Sequence, residues 1–137
     1  MKYLVDTNVL SEVRKVERAD GGVRRWFESV PDDALFVSVL VLGEIRRGVE
    51  LKRRKDPRAA QHLEAWLEQL TRDFGERLLP VDARVADAWG RMQGTRPLPA
   101  IDGLLAATAQ VNRLTLVTRN TDDFAALRIQ VLNPFSQ

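Results

Sequence analysis

The chain contains no cysteine, which excludes a disulfide framework, a Cys-based zinc site and a cysteine nucleophile. Histidine is nearly absent too. His62 stands alone, at helical spacing from Trp66, and reads as a surface or packed residue rather than a catalytic base. Long apolar runs are missing. The longest, Leu35 to Leu42, spans 8 residues and is interrupted by Ser38, whereas a helix needs roughly 20 to cross a bilayer. No apolar stretch with a small-residue cleavage pattern opens the chain, so no export signal and no membrane partner are expected. There is no Gly-rich phosphate loop, no Gly-x-Ser-x-Gly elbow and no Walker lysine. With these absences a cytoplasmic, single-domain, soluble protein is expected.

What is present suffices for one core. Of 137 residues, 45% are hydrophobic, too many for a disordered chain, and folding at this length buries roughly two-thirds of the unfolded surface. Residues 1–137 are read as a single domain. The net charge of +2 is small but unevenly spread. Between Arg46 and Arg58 stand Arg46, Arg47, Lys52, Arg53, Arg54, Lys55 and Arg58 against only Glu50 and Asp56. Such a stretch is either a solvated helix face or a phosphate-binding surface, with Arg46, Arg47, Arg53 and Arg54 the candidate phosphate contacts.

Strand-like and helix-like segments alternate. Strands are predicted at Lys2–Val5, Leu35–Val37, Leu78–Val81, Leu114–Val117 and Ile129–Leu132. Helices are predicted at Val9–Lys15, after Asp20, from Ser38 to about Lys55, from Pro57, from Asp82 to about Met92, and from Pro99 to Asn112. Asp56-Pro57 is a strong start signal, an N-cap followed by proline in the first turn. The order implies an α/β fold: a mostly parallel sheet of about five strands covered by helices on both faces. Ligands of such sheets gather at the carboxyl ends of the strands. Trp26, Trp66 and Trp89 occupy amphipathic helix positions and read as core or interface residues.

Three acids stand in apolar company near those ends. Asp6 follows Tyr3-Leu4-Val5, Glu44 lies beside the stripe of Val41, Ile45 and Val49, and Asp102 sits in Ala100-Ile101-Asp102-Gly103-Leu104-Leu105. Each has a local explanation. Asp6 could cap a helix, Glu44 could pair with Arg47 at i+3, and Asp102 could complement a helix dipole. Together, unpaired carboxylates in apolar surroundings suggest a shared cation. Without a Cys or His cluster the donor set selects Mg²⁺ or Mn²⁺ over zinc. Asn120, Asp122 and Asp123 form a further polar group past the fourth strand.

Four segments carry a resemblance. Leu4-Val5-Asp6-Thr7-Asn8-Val9-Leu10-Ser11-Glu12, Ser38…Gly43-Glu44-Ile45…Gly48-Val49, Ala100-Ile101-Asp102-Gly103-Leu104-Leu105-Ala106-Ala107-Thr108-Ala109 and Leu116-Val117-Thr118-Arg119-Asn120-Thr121-Asp122-Asp123-Phe124 resemble the ordered motifs of PIN domains. The closer likeness is to the VapC/FitB-like toxins of bacterial toxin–antitoxin pairs. The resemblance implies a three-layer α/β sandwich and a Mg²⁺- or Mn²⁺-dependent endoribonuclease that hydrolyses RNA through metal-activated water. It implies a homodimer restrained by a cognate antitoxin, in an assembly that can bind promoter DNA through the antitoxin. By position, Asp6, Glu44 and Asp102 become catalytic metal ligands, with Thr7, Asn8, Ser38 and Thr118 orienting them. Asn120 stands where many relatives carry aspartate, so the fourth acidic role passes to Asp122, with Asp123 the second choice and Asn120 a supporting group. Two other readings compete. One is a non-catalytic RNA- or partner-binding module on the same fold. The other is a haloacid-dehalogenase-like phosphatase, which needs a second aspartate where this chain has Asn8.

Overall fold

A short extended segment, Tyr3–Val5 (β1), ends at Asp6, and the chain turns at once into a helix, Thr7–Val13 (α1). A second helix, Gly21–Ser29 (α2), leads to the strand Leu35–Ser38 (β2) and the helix Val39–Arg53 (α3). After Pro57–Phe74 (α4) come the two-residue strand Leu78–Leu79 (β3) and the helices Ala83–Thr95 (α5) and Ala100–Asn112 (α6). Thr115–Val117 (β4) and Val131–Leu132 (β5) complete the set. The computed structural model describes residues 1–136.

Among the described residues five strands form one parallel sheet in the order β3-β2-β1-β4-β5, flanked by six α-helices. This is the expected α/β arrangement. Leu4 and Val5 of β1, Val37 of β2, and Leu116 and Val117 of β4 have no exposed surface. Consecutive residues point to opposite faces, so burial of both members of each pair means that helices cover both sides. Helices α3 and α4 pack mainly on each other, as do α5 and α6. Val41, Val49, Leu105 and Ala106 carry these helices into the core. Truncating one such side chain, as in Leu116→Ala, would cost about 2–5 kcal/mol. No helix among the described residues is long and apolar enough to cross a membrane.

Several boundaries differ from the sequence reading, each for a physical reason. Helix α1 starts at Thr7, two residues earlier than expected, because the Asp6 carboxylate accepts the Thr7 N–H at 2.7 Å and caps it there. Strand β3 stops at Leu79, since Pro80 has no N–H for the ladder. Strand β4 begins only at Thr115, because Arg113 adopts a left-handed conformation (φ 56°) to close α6 and Leu114 N–H still bonds Ala109 O. The other helix signals are realised: Asp20, Ser38, Asp56 and Asp82 each accept a backbone N–H at the start of their helices.

The sheet reverses its winding at β1, with β2 on one side and β4 on the other. A crevice forms at such a switch point, outside the carboxyl ends of the strands. Asp6 and Thr118 are the first residues past those ends.

Candidate active site

Asp6 is 8% exposed, and its surroundings satisfy most of its hydrogen-bonding capacity. Its N–H donates to Val117 O at 2.9 Å, which ties the end of β1 to β4. Oδ1 accepts from Thr7 N–H at 2.7 Å. Oδ2 accepts the Thr118 hydroxyl at 2.8 Å and Asn8 Nδ2 at 3.4 Å. Thr118 has no exposed surface. Its oxygen in turn accepts from Asn8 Nδ2 and from Asn120 N–H, both at 3.2 Å. One hydroxyl proton given and two lone pairs filled exhaust what a threonine can do. Asn8 closes the web by accepting Arg119 N–H at 3.2 Å. Two filled positions on Oδ2 and one on Oδ1 leave Asp6 an unfilled lone pair on Oδ1.

Glu44 projects from α3 and is exposed. It forms no pair with Arg47; instead its Oε1 accepts the Thr7 hydroxyl at 2.7 Å. Thr7 therefore links the Asp6 turn to α3. Ser38 is fully buried at the end of β2 and caps α3 through Leu40 N–H at 3.1 Å. It contributes by fixing where α3 starts.

Asp102 lies in the first turn of α6, half-buried. Burial raises its pKa above the ordinary carboxylate value, and repulsion from Asp6 and Asp123 adds to the effect. Asp123, in the Thr121–Phe124 turn with Asp122, is one source of that repulsion. Both are exposed. Among the described residues no Lys, Arg or His pairs with Asp6, Glu44, Asp102, Asp122 or Asp123.

The basic stretch divides. Arg46 bonds Glu64 and Glu50, and Arg53 bonds Glu50 at 3.2 Å and Glu64 at 3.1 Å. Those guanidiniums hold α3 to α4 and are already engaged. Arg47 and Arg54 are exposed and have no acidic partner among the described residues. His62 is exposed on α4.

Two residues that sequence reading passed over support Asp102. The Gln93 side chain accepts Leu98 N–H and donates to Leu98 O, both at 2.9 Å, and so fastens the loop before α6. Gly103 lets α5 come close. A Cβ there would lie 2.8 Å from Gln93 Nε2 and 3.0 Å from Trp89 Cδ1. No periodicity marks Gln93, because its partner is backbone five residues away. Trp89 Nε1 is buried there with no hydrogen-bond partner among the described residues.

Among those residues no group of three or more His, Cys, Asp or Glu is gathered tightly enough to hold a metal ion by itself. The chemistry of the donors still fits one. They are hard oxygens, mutually repelling and without a counter-cation, and Mg²⁺ characteristically takes one or two carboxylates while keeping several waters.

Comparison with known proteins adds an independent line. A family model described as the PIN domain matches residues 3–129. Toxin FitB of Neisseria gonorrhoeae is 31% identical over 137 residues, covering 96% of this chain and 97% of the relative. The VapC ribonuclease Y4jK of Sinorhizobium fredii is 27% identical, covering 96% of each. A solved structure of FitAB bound to an IR36 DNA fragment has a TM-score of 0.86 at 30% identity, covering 98% of this chain and 96% of that one.

Proposed function

The chain belongs to the PIN-domain family, and on that premise we propose that it is the toxin of a toxin–antitoxin pair, a cytoplasmic endoribonuclease that works with Mg²⁺ or Mn²⁺. Residues 1–137 act as one domain in this reading. The observation that carries it is the placement of Asp6 at the switch point of the sheet with the half-buried Asp102 close enough to be repelled by it and by Asp123, none of the three having a basic partner among the described residues. A half-buried carboxyl whose pKa is raised, as that of Asp102 is, marks function more often than stability when it lies at such a crevice.

Asp6 and Asp102 would hold the ion, Asp6 through its unfilled Oδ1 position. Glu44 would be a ligand or orient water, and Asp123 would complete the acidic set in place of Asp122 or Asn120. A bound divalent ion would polarise the scissile phosphate and lower the pKa of the attacking water. Thr118 and Asn8 keep the Asp6 carboxylate in one orientation, as hydrogen bonds behind a ligand generally do. Thr7 performs the same service for Glu44. Arg47 and Arg54 are available to RNA phosphates in a way that Arg46 and Arg53 are not.

The partner is a separately encoded antitoxin. A basic side chain of that partner, above all an arginine fork, would match the clustered carboxylates and silence them. FitAB, a solved relative, is seen with DNA; a homodimer of this chain bound to its antitoxin would reach promoter DNA through the antitoxin.

The test is cleavage of a structured RNA by the purified chain. Cleavage should require Mg²⁺ or Mn²⁺, stop on addition of EDTA, and vanish in Asp6→Asn. In bacteria the wild-type chain alone should arrest growth and the Asp6→Asn chain should not. Cleavage that persists in EDTA, or in Asp6→Asn, would refute the metal-nuclease reading. Equal harmlessness of the two chains at matched expression would refute the toxin.

A further inference from the structure

We propose that the cleft between α5, α6 and the segment entering β5 is the track along which the RNA substrate's backbone reaches the acidic site, an inference that rests on the nuclease reading above. The cleft encloses about 560 Å³ and is lined by Arg84, Arg91 and Arg96 on one wall and Arg128 on the other. Asp87 is the one acid among its lining residues. It pairs with Arg91 at 2.9 Å, but the two side chains are 68% and 81% exposed, so water and salt screen the pair and a phosphate can displace it. Arg84 donates to Val111 O at 3.4 Å, a contact that leaves its charge uncompensated. Arg96 and Arg128 have no acidic partner among the described residues. A second hollow of about 350 Å³ shares Gln110 and Arg128 with the first and adds Lys2 and Arg113, extending the positive lining.

Both walls of the cleft are continued by short stretches of chain to residues of the acidic site. Helix α5 ends at Thr95 beside Arg96, and the loop that follows is the one Gln93 fastens to the start of α6, where Asp102 lies. The opposite wall, Ala126 and Leu127, begins three residues after Asp123, and Leu127 N–H bonds Phe124 O at 3.0 Å. A chain of phosphates lying in the cleft is therefore led to the carboxylates. Arg84 and Arg91 are seven residues apart on α5, on one face and roughly 10 Å from each other, a spacing suited to separate phosphates of one strand. Guanidinium forks match phosphate oxygens in two hydrogen bonds at a time. The contrast with Arg46 and Arg53 is direct: those arginines already have carboxylate partners within the chain.

The experiment uses the full chain carrying Arg84→Gln, Arg91→Gln, Arg96→Gln and Arg128→Gln together. A charge-matched control carries Arg18→Gln, Arg24→Gln, Arg25→Gln and Arg72→Gln. Binding of a labelled single-stranded RNA is measured in EDTA across a salt series, and KM and kcat are measured with Mn²⁺. The cleft variant should bind at least about tenfold more weakly at moderate salt. Its log–log salt slope should be smaller by about 3, at roughly 0.7 for each lost phosphate contact. KM should rise in proportion while kcat at saturating RNA falls little, the signature of lost uniform binding. The double variant Arg96→Gln with Arg128→Gln, which removes no contact within the chain, should show about half the slope change and guards against a folding defect in the fourfold one. Three results would overturn the proposal: an unchanged slope and KM, an equal loss in the control, or unchanged RNA binding with altered duplex-DNA binding or altered oligomeric state. If the wild type neither binds nor cuts RNA, the nuclease reading fails and takes the cleft with it. If the wild type cuts RNA and the cleft variant matches it, the cleft alone is refuted.

Discussion

On the outer face of the α3–α4 pair, Arg46 and Arg53 share Glu50 and Glu64, so four charges cancel within one small surface. At the carboxyl ends of β1 and β4 the opposite is found: Asp6 and Asp123 repel the half-buried Asp102, and none of the three has a basic partner among the described residues. The first arrangement lowers the pKa of Glu50 and Glu64 through hydrogen bonds from the arginines and raises that of the arginines. The second raises that of Asp102. Opposite charges that satisfy each other hold two helices together and leave little for a ligand. Like charges kept together work against the fold unless something else joins them, which is why the strand ends, and not the more heavily charged hairpin, read as the site.

The comparison breaks hardest if the strand-end acids prove dispensable. Asp6→Asn and Asp102→Asn should each reduce RNA cleavage by at least about 100-fold, measured as initial rates with Mn²⁺. Their melting temperatures should be unchanged or higher, since like-charge repulsion is relieved. Thr118→Val comes next. It removes the hydroxyl that serves Asp6, Asn8 and Asn120, and should lower stability by about 1–3 kcal/mol in denaturant unfolding. Cleavage should fall about 10- to 100-fold with it.

Smaller effects sharpen the same contrast. Asp123→Ala should cost about tenfold in activity and Asp122→Ala no more than about twofold; the reverse order would return the fourth position to Asp122. The pH dependence should also differ in sign between the two surfaces. Asp102 holds its proton in the folded state at pH values where the unfolded chain has lost it. Its contribution therefore falls as pH rises from the ordinary carboxylate range through its raised folded value. Glu50 and Glu64, with lowered values, contribute above the ordinary carboxylate range, and that contribution is lost as pH falls. Melting curves across pH should show the Asp102 component disappear in Asp102→Asn. The smallest effect is expected for Glu64→Gln: a slight drop in melting temperature that high salt abolishes, with cleavage unaffected.

Much of this is legible in the sequence. The strand–helix order, the caps at Asp20, Ser38, Asp56 and Asp82, and the isolation of Asp6 and Asp102 all lie in local sequence. Physical distance along the chain hid the rest. Glu44 meets Thr7 across 37 positions, and Glu64 meets Arg46 only because α4 folds back along α3; neither register is written in either segment alone. The segment that holds Asp122 and Asp123 is a 3₁₀ turn, Thr121–Phe124, with three residues per turn, a geometry that local sequence does not distinguish from other polar turns. Pro80, which has no N–H for the ladder, is a local signal that β3 ends at Leu79.

Manganese binding in the absence of RNA tests the central claim most directly. Titration calorimetry with Mn²⁺ alone should show binding to the wild-type chain and binding at least about tenfold weaker to Asp102→Asn. A wild type that takes up no Mn²⁺, or an Asp102→Asn chain that binds it equally well, would contradict the view that these carboxylates are held together for a cation.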